Sequence, residues 1–222
     1  MTVAPRIVVL SAPSGGGKTT IARAVRDRFP ERFGFSVSAT TRQPRAGEEH
    51  GDAYYFLSRE EFLRRVERGE FLEHAEYAGE LYGTLASEVD RVTGSGRHVL
   101  LDIEVEGARQ VRARDGRAIT IFILPSEPRV LLERLRGRKT ESPAQIMARV
   151  QRAKYELTEA AGFDHWVRND DLGQAIDDVV NVVQEGGGFR RDNQDIAWLD
   201  RYGDGLDAAA RLLYDELHQQ KG

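Results

Sequence analysis

The chain contains no cysteine, which removes disulfides, zinc–thiolate sites and cysteine nucleophiles from consideration together. That absence suits a reducing, cytoplasmic setting. Lysine is scarce, with 4 residues against 28 arginines, so a lysine at any basic position carries information of its own. Long apolar runs are missing too. The N-terminal run Ile7-Val8-Val9-Leu10 has four residues and no basic flank before a long hydrophobic stretch, so it reads as neither a secretory signal nor a membrane span. Nor does one sign of charge dominate. With 32 basic and 36 acidic residues the net charge is −4, which argues for no nucleic-acid partner and no membrane partner. Internal repeats and low-complexity tracts are absent. What remains is 222 residues, enough for one α/β domain with inserts or one domain with a small appendage.

The most informative stretch follows the first apolar run: Ala12-Pro13-Ser14-Gly15-Gly16-Gly17-Lys18-Thr19. It matches a phosphate-binding loop, except that Ala12 stands where the strict pattern has glycine. Three glycines let the backbone curl so that its N–H groups point at phosphate oxygens. Lys18 and Thr19 then open a helix whose N-terminal end adds to the same field. Ile21, Ala24, Val25 and Phe29 recur at helical spacing, as such a loop requires of the segment after it.

Apolar runs of strand length at 7–11, 35–38, 99–102, 118–124 and 165–168 alternate with helical segments. That rhythm predicts an α/β fold, a phosphate-loop parallel sheet with helices on both faces and ligands at the carboxyl ends of its strands. Residues 35–92 break the rhythm, with strand-like pieces at 54–57 and 71–77 and a helix near 60–68, and read as an inserted subdomain. The expected layout is core at 5–34, insert at 35–92, core at 93–136, a mobile lid at 137–148, core at 149–186 and an extension at 187–222. In the extension Leu206, Ala209, Ala210, Leu213, Tyr214 and Leu217 mark an amphipathic helix, with Trp198 upstream. It can dock on the core, build a homo-oligomer interface or stay mobile.

The insert carries Ser36-Val37-Ser38-Ala39-Thr40-Thr41-Arg42-Gln43-Pro44-Arg45-Ala46-Gly47-Glu48, then Tyr54. Two guanidinium groups three residues apart, among hydroxyls, can hold a second phosphate by forked hydrogen bonds, although alone they read sooner as a solvated turn. The order Ser-x-x-Thr-Thr-Arg-x-Pro-Arg-x-Gly-Glu downstream of the phosphate loop resembles the guanylate kinase family. The agreement continues through Phe71-Leu72-Glu73-His74-Ala75, Tyr82-Gly83-Thr84, Leu101-Asp102-Ile103-Glu104, Arg134-Leu135-Arg136-Gly137-Arg138 and Asn169-Asp170-Asp171, spanning residues 5–186.

The resemblance implies ATP-dependent phosphorylation of GMP, and also of dGMP, to the diphosphate, with ADP as the other product. It implies Ser38, Arg42, Arg45, Tyr54 and Tyr82 at the GMP phosphate, and Glu73, Thr84 and Asp102 facing the base. The same resemblance puts Ala12 to Thr20 and Asn169 on ATP, Mg2+ partly on Thr19, and Lys18, Arg42, Arg134, Arg138 and Arg149 around the transferred group. Departures from the family pattern are Ala12, Thr19 for a frequent serine, Lys139, Glu104 and Glu106; the last adds a negative charge near the expected site. The alternatives are a non-catalytic module of the same fold and a kinase for another phosphorylated small molecule. The complete Gly17-Lys18-Thr19 speaks against the first, and Glu73, Thr84 and Asp102 together against the second.

Overall fold

The computed structural model describes residues 4–136, 143–185 and 193–219. The fold is mixed α/β, with parallel strands flanked by helices, and the chain divides into two compact units. Met1–Leu10 with Ala22–Thr120 form the first, Ser11–Ile21 with Ile121–Gly222 the second.

In the first unit β1 (Ile7–Ser11) and β2 (Phe33–Phe35) each pair in parallel with β7 (His98–Asp102). Val8, Val9, Leu10, Val99 and Leu100 are fully buried, the continuous apolar pattern of a strand covered on both faces. Helix α1 (Lys18–Arg28), whose first four residues belong to the second unit, starts at the residue expected and buries Ile21, Ala22 and Val25; Ala24 and Phe29 are only partly covered.

A second, four-stranded sheet has the order β4-β3-β6-β5, built from β3 (Ser38–Thr40), β4 (Tyr55–Phe56), β5 (Phe71–Tyr77) and β6 (Glu80–Leu85). Helix α2 (Arg59–Glu67) begins at Ser58, whose hydroxyl accepts the Glu61 N–H. It buries Phe62, which stacks on Phe71 at 4.3 Å; with Ala39, Leu81 and Leu85 these make a small core of their own.

The strand expected at 35–38 is in fact a junction: β2 ends at Phe35 and β3 begins at Ser38, in different sheets. The cause is Glu88, on α3 (Ala86–Gly94), which no local pattern marks. Its buried carboxylate accepts the Val37 N–H at 3.0 Å, the Tyr55 hydroxyl at 3.1 Å and two bonds from Arg91 at 2.8 Å. Val37 therefore spends its donor on a side chain instead of a strand. Pairing with Arg91, and the bonds from Val37 and Tyr55, hold the Glu88 carboxyl below the ordinary carboxylate range despite its burial.

In the second unit β8 (Ile119–Leu124), whose last four residues belong here, pairs in parallel with β9 (His165–Arg168). Around this pair lie α5 (Pro128–Arg136), α6 (Pro143–Ala160) and α7 (Leu172–Glu185). Of the expected lid, residues 143–148 are the first turns of α6, and 137–142, with Arg138 and Lys139, lie outside the described residues. The extension forms one helix, α8 (Asn193–Gln219), packed on α5 and α6. Leu199, Tyr202, Leu206, Ala210 and Leu213 are its buried stripe; Ala209 is half-buried and Tyr214 exposed. Leu217 lies where side chains are outside the described residues. The Tyr202 hydroxyl donates to the Glu127 carbonyl, and Lys154 of α6 pairs with Asp207. Trp198 packs on Trp166 of β9 at 6.1 Å, so docking is how the extension meets the rest of its own unit. No helix among the described residues is long and apolar enough to cross a membrane.

His98, at the start of β7, is 7% exposed, lies on Phe33 and accepts the Arg6 N–H at Nδ1. Burial, with Arg32 and Arg6 nearby, lowers its pKa from 6.5; burial and Arg114 lower that of His74. Both stay neutral in the folded state where the unfolded chain already binds protons. Stability is therefore expected to fall as pH drops below about 6.5, by at most about 1.4 kcal/mol per pH unit for each histidine. Melting curves between pH 7.5 and 5.5, above the range where carboxylates titrate, check this. His98→Gln should flatten the dependence, and an unchanged slope in that variant would remove His98 as its source.

Candidate active site

The expected site residues form two polar constellations, one in each unit. In the first unit, register aligns the groups expected to read the acceptor. Ser38 pairs with Thr84, Thr84 with Glu73, and Thr40 with Tyr82 across β3, β6 and β5. A β-bulge between Phe71 and Glu73 is what makes this work. In an unbroken strand residues two apart share a face, so Phe71 in the core would take Glu73 with it. The extra residue lets Phe71 oppose Leu85 in the core while Glu73 opposes Thr84.

Glu73 and Thr84 are 4% and 1% exposed, and the Thr84 hydroxyl donates to Glu73 Oε1 at 2.6 Å. Helix α4 (Val105–Arg114) grips β5 on both sides of the bulge. Gln110 accepts the His74 N–H at 3.1 Å and donates to the His74 carbonyl at 2.8 Å, while Arg114 donates to the Phe71 carbonyl. Gly107 completes the support, since a Cβ there would lie 2.6 Å from Glu73 Oε2. Glu106, half-buried in the first turn of α4, pairs with Arg109 at 2.8 Å.

Gly107→Ala is therefore expected to raise the KM for GMP roughly tenfold by displacing the carboxylate, with the KM for ATP unchanged. Steady-state kinetics with each substrate varied in turn would decide it, and an unaltered GMP KM would show that Glu73 does not need this position.

The Arg42 guanidinium lies 5.4 Å from the centre of the Tyr54 ring and 5.8 Å from that of Phe56. Its Nη2 donates to both oxygens of Glu48 at 2.9 Å, and Glu48 also accepts the Arg45 N–H at 2.8 Å. Glu48 thus sets the spacing of the two arginines, a role its place in the motif hints at without specifying. Burial works against the Arg42 charge, but Glu48 and Tyr82 more than offset it and leave the group more basic than usual. Burial, with Tyr82 and Asp102 adding to it and Arg42 opposing, pushes the Tyr54 hydroxyl up. Tyr54 and Tyr82 meet edge to face at 6.2 Å, and Arg45 is exposed. Asp102 is half-buried at the carboxyl end of β7.

In the second unit the loop curls as its glycines permit, with φ of +80° at Gly15 and +94° at Gly17. The Gly16 N–H returns to the Pro13 carbonyl at 2.8 Å. Ala12 and Pro13 are buried, and Ala12 is accommodated because Gly16 has no side chain: a Cβ there would lie 2.8 Å from that of Ala12. Lys18 opens α1, with Thr19 and Thr20 exposed on its first turn.

Three groups from other elements close on the loop. Asn169 donates its amide to the Gly16 carbonyl at 2.7 Å; Arg134 donates to the Asn169 carbonyl at 3.0 Å, its Cβ 3.3 Å from the Cβ position of Gly15. Arg149 donates to the Ser14 hydroxyl at 3.2 Å and to the Leu135 carbonyl at 2.6 Å. Sequence reasoning missed Glu156, whose buried carboxylate accepts the Ser14 N–H at 3.1 Å. Its only sequence signal is helical spacing from Arg149 and Arg152.

Known proteins share this arrangement of segments. The guanylate kinase family model matches residues 4–186. A guanylate kinase of Synechocystis is 47% identical over 83% of this chain and 96% of its own; one of Chlorobium chlorochromatii is 46% identical over 82% and 97%. The crystal structure of guanylate kinase from Anaplasma phagocytophilum superposes with a TM-score of 0.65 at 30% identity, covering 90% of this chain and 96% of that one. With the family model matching residues 4–186 and nearly half of the aligned residues shared with such relatives, this chain belongs to the guanylate kinase family.

Proposed function

We infer that the protein transfers the terminal phosphoryl group of ATP to GMP, giving ADP and GDP, and that dGMP serves as a second acceptor. The observation that carries this reading is the buried Glu73–Thr84 pair beside Ser38 and Tyr82. Burying a carboxylate costs several kcal/mol unless it is well satisfied, and a protein needing only a stable sheet would place an apolar residue there. Guanine supplies a reason: its N1–H and N2 amino group are donors that Glu73 and Asp102 can accept, while Thr84 donates or accepts. Adenine presents an acceptor at N1 and leaves those carboxylates unpaired, a loss of about 1–3 kcal/mol for each.

At the other end of the acceptor, Arg42, Arg45, Ser38, Tyr54 and Tyr82 hold the phosphate. A phosphate monoester has its second pKa near about 6, so the acceptor is largely dianionic and needs no general base. The obstacle is repulsion. Like unit charges about 4 Å apart at an effective dielectric near 20 oppose each other by roughly 4 kcal/mol. Lys18 and the arginines Arg134, Arg138 and Arg149 offset that on the donor side, and Asn169 with the loop from Ala12 to Thr20 holds ATP. Thr19 suits Mg2+ delivered with ATP, since one protein hydroxyl complements an ion that keeps phosphate and water oxygens for its other positions. When bound there, Mg2+ neutralises charge developing on the donor phosphates. The absence of cysteine supports a cytoplasmic place of action.

A coupled assay across the nucleoside monophosphates tests the reading. GMP and dGMP should turn over and AMP should not; equal rates with AMP would overturn the base-reading role of Glu73 and Asp102.

A further inference from the structure

We propose that Glu156 is a positioning residue for the phosphate loop, holding it in its nucleotide-binding shape by taking up the Ser14 N–H. The inference rests on the loop being the ATP site and adds a residue that touches no substrate. Glu156 is 1% exposed and lies 142 residues from Ser14 in sequence. Its Oε2 accepts the Ser14 N–H and its Oε1 accepts Arg152 Nε, both at 3.1 Å, so both oxygens of a buried carboxylate are satisfied.

A loop of this kind binds anions by turning successive N–H groups inward. Two of its N–H groups are committed elsewhere: that of Ser14 to Glu156 and that of Gly16 to the Pro13 carbonyl. These two pins bracket Gly15 and fix where the chain turns away from the cradle. Arg149, Arg152 and Glu156, spaced by three and four residues, form one stripe of α6. Through it α6 holds Ser14 twice, by backbone from Glu156 and by hydroxyl from Arg149.

Charge is not what the loop takes from Glu156. An unneutralised carboxylate beside a polyphosphate site would repel the ligand, and the ion pair with Arg152 answers that charge. What remains is an acceptor at a fixed distance. Glutamine keeps that acceptor, alanine removes it, and aspartate retains the charge but falls short by one methylene.

The test is calorimetric binding of GMP and of a non-hydrolysable ATP analogue with Mg2+ to full-length E156A, E156D and E156Q. Steady-state KM values and thermal melts accompany each variant. E156A and E156D should weaken binding of the ATP analogue roughly tenfold, E156Q should restore most of it, and GMP binding should stay level in all three. Parent-like affinity in E156A and E156D, failure of E156Q alongside E156A, or equal loss of both nucleotides would each overturn the proposal. Should E156A not fold, E156D, which keeps the charge facing Arg152, carries the comparison with E156Q.

Discussion

Lys18→Ala is expected to lower kcat by about three orders of magnitude while leaving GMP affinity unchanged. The estimate follows from the charge removed: one ammonium at about 4 Å from a phosphate oxygen, at an effective dielectric near 20, contributes roughly 4 kcal/mol. Each 1.36 kcal/mol is about tenfold in rate, and deletions of single transition-state donors fall in the same range. GMP affinity is expected to be spared because the groups proposed to hold GMP, Ser38, Arg42, Tyr54, Glu73 and Thr84 among them, do not include Lys18. Lys18→Arg should recover little. In a chain that uses arginine seven times as often as lysine, a compact ammonium at the helix start answers a local need that a planar fork does not meet. Single-turnover kinetics with a melting curve and GMP calorimetry check all three statements, and near-normal turnover in the alanine variant would remove the loop from the mechanism.

Gly17→Ala is the second large effect, and its origin is steric. Gly17 has φ of +94°, a conformation that costs an L side chain on the order of 1–2 kcal/mol. A Cβ there would also lie 2.0 Å from Asn169 Nδ2 and 3.3 Å from its Cγ. The Asn169 side chain would have to leave, and with it the bond to the Gly16 carbonyl. Arg134 is spared, because its guanidinium donates to the backbone carbonyl of Asn169, which the side chain leaves in place. We expect kcat/KM for ATP to fall about a hundredfold, equivalent to about 2.7 kcal/mol, with GMP binding retained and a melting temperature lowered by several degrees. Equal kcat/KM values for the two proteins would mean that Asn169 does not need its present side-chain position.

The sequence carried what was local. Ala12 to Thr19 act within one turn of chain, so their order alone announced the curl and the helix start. Arg42 and Arg45 were legible for the same reason, being three residues apart. Glu73 was named through family resemblance, but its aim depends on a bulge against Leu85 and Thr84, which no periodicity within Phe71–Tyr77 reveals. The junction at Ser36 and Val37 was hidden because Glu88, fifty-one residues from Val37, takes the strand's donor. Glu156 and Gly107 were invisible likewise, since their meaning lies in Ser14 and Glu73, remote in sequence. The apolar stripe of the extension announced a helix. Only the side chains it meets, Trp166 and Lys154 among them, identified its docking face.

The second unit interleaves the two ends of the chain, residues 11–21 with residues 121–222. During synthesis the phosphate loop leaves the ribosome early, but the groups that shape it, Arg134, Arg149, Glu156 and Asn169, follow more than a hundred residues later. A nascent chain halted before Glu156 lacks the acceptor for the Ser14 N–H, so the loop reaches its final hydrogen bonding only in nearly finished polypeptide. Ring closure over such separations is also slow, which makes assembly of the donor half the expected bottleneck in refolding.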